Sequence, residues 1–128
     1  MTSGVLTPEF GGKSAMNSAW EHFFAATAVL ASAGPIKHRL EEAYRVHLEG
    51  IEEDELPKEI RDEFSTLSTC MCRVRPMRGE TAIQATVRKM SDLEAGTVAV
   101  RIVNMLAVIA RVQGQQRPKL RAVNSNDD

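Results

Sequence analysis

Aromatic side chains are scarce in this chain: one Trp, one Tyr and four Phe among 128 residues. A sheet sandwich leans on aromatic and β-branched residues, so a core built from Ala, Val, Leu and Met points to closely packed helices instead. Cysteine is almost missing as well. Cys70 and Cys72 are the only two, and a separation of two places them on different helix faces, which disfavours a mutual disulfide. No second cysteine pair completes a zinc site. The thiols therefore read as reduced, in a cytoplasmic protein, with Cys70 lining the core beside Leu67 and Met71. Net charge is close to zero at −1, so no overall field draws the chain to nucleic acid or to an anionic membrane. No segment alternates with period two for the length of a strand, and nothing repeats internally.

The vocabulary of catalysis is missing too. The chain holds no HExxH and no nucleophile elbow. Gly11-Gly12-Lys13-Ser14 ends like a phosphate loop but lacks the preceding strand and the first spaced glycine. His22, His38 and His47 invite a metal reading, yet no glutamate stands three residues before any of them, as a carboxylate-bridged dimetal bundle requires. His38 and Glu42 share a face at i, i+4, a spacing that chance supplies in most helices. No catalytic residue, metal ligand set or cofactor is expected.

What the chain does have is one long apolar stretch, Ser91 to Val112. Ser91 with Glu94 three places on is the pattern of a capping box, which satisfies orphan amides at a helix start. Beyond it only Thr97, Arg101, Asn104 and Arg111 interrupt the apolar residues, and they mark one narrow polar stripe. A helix apolar over most of its circumference needs neighbours on several sides. Val103 is accordingly expected inside, and Val103→Asp is expected to unfold the domain. Residues near the polar stripe, Met105, Val108 and Val112 with Arg101 and Arg111, are the candidates for an interface with a second copy or another protein.

The near-neutral total conceals a segregation. From Glu41 to Glu63 ten acids face three bases, whereas from Phe64 to Arg121 ten bases face three acids, Glu80, Asp92 and Glu94. The simplest reading is that the two halves pair with each other. The sharper reading is a basic face for an anionic partner, formed by Arg73, Arg75, Arg78, Arg88 and Lys89 with Arg117, Lys119 and Arg121 in the tail.

Taken in order, residues 1–13 read as a flexible arm with Pro8 and three glycines. Ser14 to Ala33 reads as a first helix with Met16, Trp20, Phe23, Phe24, Thr27, Leu30 and Ala31 inward, stopped by Gly34. Pro35 to Gly50 is the second, with Ile36, Leu40, Ala43, His47 and Ile51 inward and Tyr44 beside them. Asp54 is placed to cap a third helix reaching about Val74, with Leu56, Ile60, Phe64, Leu67, Met71 and Val74 inward. Pro76 and Gly79 break the chain before a short helix, Glu80 to Met90. The long helix, about 92–113, ends at Gly114, and residues 115–128 read as a disordered polar tail.

The fold expected is therefore all-α, a single five-helix bundle-like domain over 14–114 around a central C-terminal helix. The function expected is a non-enzymatic adaptor or regulatory module that binds proteins and self-associates as a homodimer. Compactness and the lack of a targeting signal place it in the cytoplasm of a bacterium or phage, away from membranes. The alternative is a small nucleic-acid-binding regulator that uses the basic second half.

Overall fold

The computed structural model describes residues 15–115, and every regular element among them is helical. The order is α1 (Ala15–Leu30), α2 (Ile36–Glu42) running on into a π-helical turn (Ala43–Leu48), a 3-10 turn (Glu53–Glu55), α3 (Lys58–Met71), α4 (Ala82–Lys89) and α5 (Asp92–Gln115). The fold class is thus all-α with five α-helices. The expected arm 1–13 and the tail from 116 onward, with Arg117, Lys119 and Arg121, lie outside the described residues.

Local chemistry sets most of the boundaries. α1 stops at Gly34, whose φ of +110° few other residues adopt without strain. The guanidinium of Arg39 then donates back to the carbonyls of Leu30 and Gly34, closing the end of α1 onto the start of α2. α4 carries a full capping box: Thr81 Oγ1 accepts from the Gln84 N–H at 3.0 Å and Gln84 Oε1 accepts from the Thr81 N–H at 2.9 Å. At the head of α5 only half of the expected box forms. Ser91 Oγ accepts from the Glu94 N–H at 3.0 Å, but the Glu94 carboxylate turns to Arg73 at 2.7 Å. Asp54 caps nothing; it sits in the 3-10 turn, and α3 begins after Pro57 without a side-chain cap.

The core gathers Phe23, Leu40, Leu48, Leu56, Ile60, Leu67, Met71, Ile102, Met105 and Ile109, all essentially removed from solvent. α3 presents the expected stripe of Ile60, Phe64, Leu67 and Met71, but it ends there, leaving Val74 half-buried and Cys70 only partly covered. Two other stripes are rotated from expectation. α1 buries Ala19, Phe23, Ala26 and Leu30, so its small alanines face inward. Phe24 is 52% exposed and stacks on Trp20 at 5.0 Å along the outer edge. In the second helix the π turn, closed by Glu49 N–H on the Tyr44 carbonyl at 2.8 Å, adds residue width to the turn. The inward position therefore falls on Leu48, and His47 is left half-buried.

The largest correction concerns α5. α1, α2 and α3 all lie against it, which makes it the hub of the domain, but they lie on one side. Its buried residues are Ala95, Val98, Ala99, Ile102, Met105 and Ile109, a single stripe at steps of three and four. Val103 is 40% exposed rather than inside. The physical reason is supply: α4 is spent packing against α2 and α3, so among the described residues no element is left to cover the far side of a helix about 36 Å long.

Candidate docking face

The uncovered side of α5 is ordered along its length. Leu93, Gly96, Val100, Val103, Ala107 and Ala110 succeed one another at alternating steps of three and four, and none of them is buried. Leu93 is 82% exposed and Val100 58%. Three large apolar side chains held in water on one face of one helix form a contiguous patch, which soluble surfaces ordinarily avoid. Gly96 adds a separate oddity. Glycine inside a helix costs roughly 1 kcal/mol relative to alanine, yet a Cβ built there meets nothing within 4 Å. Packing among the described residues gives no reason for a glycine at that place.

The interface candidates drawn from the sequence scatter relative to this face. Met105 is fully buried among the core residues and has no surface to offer. Val108 is half-buried against the core, and Val112 is half-buried near the end of the helix. Arg101 is partly covered, with its Nε 3.8 Å from the Glu63 carboxylate, and Arg111 is exposed. Thr97, Asn104 and Arg111 do form a polar strip, but it borders the apolar face rather than opposing it. No family model, curated protein or solved structure matches this chain.

By length and composition α5 is also apolar enough to cross a membrane, with one third of its most apolar window buried in the domain. Taking it into lipid would strip it from α1, α2 and α3 and expose the apolar core they share with it.

Some of the basic residues are engaged in ion pairs and others are not. Arg73 pairs with Glu94 at 2.7 Å and Arg88 with Glu80 at 2.6 Å, so two of the basic half's own acids are taken up within it. Among the described residues Arg101–Glu63 is the one ion pair that joins it to the acidic helices. Arg75, Arg78 and Lys89 are exposed and form no ion pair among the described residues. The Arg88 hydrogen bonds, helped by the Met77 N–H, hold the Glu80 carboxyl down to about 2. Such a depressed carboxylate supports the folded state above its unfolded value, about 4.5, and that support disappears as pH falls through about 2. In an NMR titration the Glu80 carboxyl is expected to titrate near 2 and to return towards the ordinary range in Arg88→Gln. An ordinary value in the unsubstituted chain would show that the pair does not form.

A last cluster lies where the π turn meets the end of α3. The Tyr44 hydroxyl donates to Ser68 Oγ at 3.1 Å, and burial pushes its phenol pKa up. The Cys72 thiol is raised first by burial and then by the nearby Glu49 carboxylate. That is opposite to the depression a nucleophilic thiolate needs. Both cysteines are free, and His38 and Glu42 are both exposed. No three metal-ligating side chains converge among the described residues.

Proposed function

We propose that this chain is a non-enzymatic helical interaction module, an adaptor or regulator, whose docking surface is the outward side of α5. The observation that carries this reading is the exposure of Leu93, Val100 and Val103 on a helix whose opposite face already completes the core. Each large apolar side chain moved out of water contributes about 1.5–3 kcal/mol when fully buried, and the described residues leave these three exposed. A protein partner suits the face better than lipid does. Its apolar strip is narrow and bordered by Thr97, Asn104 and Arg111, which a facing polar surface can satisfy and hydrocarbon cannot.

A photo-crosslinking side chain placed at Val100 is expected to trap a protein, whereas the same probe at Glu59, exposed on α3, traps none. Equal trapping at both positions would remove the reading. The nucleic-acid alternative rests on Arg75, Arg78 and Lys89, because Arg73 and Arg88 are already engaged. Three phosphate contacts correspond to a log–log salt slope of about −3, and DNA or RNA binding with that slope, lost in Arg75→Ala/Arg78→Ala, would favour it.

A further inference from the structure

The outward side of α5 carries the a/d repeat of a coiled coil, and its sequence is complementary to itself only when reversed. We infer that its occupant is a second copy of this chain, docked antiparallel so that Val100 lies across from Val103 of the other copy. This rests on the docking face proposed above and names what fills it. In that register Leu93 faces Ala110 and Gly96 faces Ala107, so the bulkiest position meets a small one and the glycine meets an alanine. A parallel pair would instead set Leu93 on Leu93 and Gly96 on Gly96, alternating a bulge with a gap. The missing reason for Gly96 is supplied as well: the space a Cβ would enter, open in the single chain, becomes the place of closest helix approach.

Charge points the same way. Asp92 and Glu94 lie in the first turn of α5, while Arg111 lies in its last part. Glu94 is already held by Arg73, so reversal sets Asp92 beside Arg111 of the other copy and opposes the two helix dipoles, whereas parallel pairing stacks Arg111 beside Arg111. The strip from Leu93 to Ala110 covers roughly 300 Å² on each copy, from helix length and width, or about 600 Å² in total. That is below the roughly 1,200 Å² of stable pairs. The dimer is therefore reversible and concentration-dependent, with a dissociation constant weaker than about 1 μM.

Sedimentation of the full chain from roughly 1 μM to 1 mM is expected to show a monomer–dimer equilibrium, with Val103→Asp monomeric throughout. Gly96→Leu gives a sign test. At a close helix approach the larger side chain weakens association by about tenfold or more; on a merely greasy patch it strengthens it. With Cys70→Ser and Cys72→Ser in the background, a mixture of Val100→Cys and Val103→Cys chains is expected to cross-link faster than either chain alone. A monomer at the highest concentration, a stronger Gly96→Leu dimer, or fastest self-linking of Val100→Cys would each overturn the assignment. So would binding of the monomer to phosphatidylcholine vesicles that Val103→Asp abolishes. Maleimide labelling of Val103→Cys separates the two levels: a reactive thiol on a strict monomer sinks the second copy alone, and an unreactive one also removes the docking face.

Discussion

Ile102→Asp is expected to unfold the domain, while Val103→Asp, one residue along, leaves it folded and without self-association. The two positions differ by about 100° around α5, and that rotation separates the fully buried stripe from the exposed one. At Ile102 a carboxylate would sit among Met105, Ile109 and the core with no cation to meet it, costing at least about 4 kcal/mol. A domain of this size holds only about 5–15 kcal/mol in total. At Val103 the same carboxylate reaches water, and the change stays within the range of ordinary surface substitutions, about 0.5 kcal/mol. Thermal unfolding followed by circular dichroism reads both. Equal destabilisation of the two variants would mean that α5 is covered on both sides and that its outward face does not exist.

That contrast also marks where sequence reasoning stopped. The helix itself was plain from Ser91 and the apolar run behind it, but its facing was not. α5 contains two interleaved stripes, Ala95–Val98–Ile102–Met105–Ile109 and Leu93–Gly96–Val100–Val103–Ala107–Ala110, both at helical spacing and both apolar. Hydropathy cannot rank two such stripes, so the helix read as buried all round. Side-chain volume carries part of the missing signal: Ile102, Met105 and Ile109 are inward, whereas the outward stripe past Leu93 holds only Gly, Ala and Val, although Ala95 and Val98 are inward too. α1 runs the other way: Ala19 and Ala26 lie inside beside Phe23 and Leu30, and the conspicuous Phe24 stays outside, so volume does not rank its faces.

Elsewhere the legible features were those written in local chemistry. Gly34, Pro76 and Gly79 mark breaks because their backbone conformations are restricted or unusual, and α3 announces its stripe because polar residues fill every other face. The π turn was hidden, since no residue type demands it, and a single widened turn moved the inward position from His47 to Leu48. Pairing of charges was hidden for a different reason. Glu80 and Glu94 are outnumbered in the basic half, yet proximity gives them Arg88 and Arg73, and the acidic α2–α3 region keeps most of its charge facing solvent.

Phe23→Ala is expected to bring the largest loss from a single truncation. Phe23 is fully buried on α1 and meets the ring of Phe64 on α3 edge-on at 5.9 Å. With only six aromatic residues in the chain, this is the one ring pair inside the core among the described residues, Trp20–Phe24 lying at the surface. Truncation removes the transfer contribution of the ring and leaves a cavity that Ala19 and Ala26, already minimal in size, cannot fill. The cost is about 3–5 kcal/mol, and at about 4–8 °C per kcal/mol the midpoint falls by roughly 15 °C or more. Phe64→Leu should cost less, because it keeps most of the volume. A double-mutant cycle between Phe23→Leu and Phe64→Leu is expected to return a coupling of about 0.5–1.5 kcal/mol, the part owed to ring geometry beyond area. Additive losses would show that α1 and α3 are joined through their common contact with α5 rather than through each other.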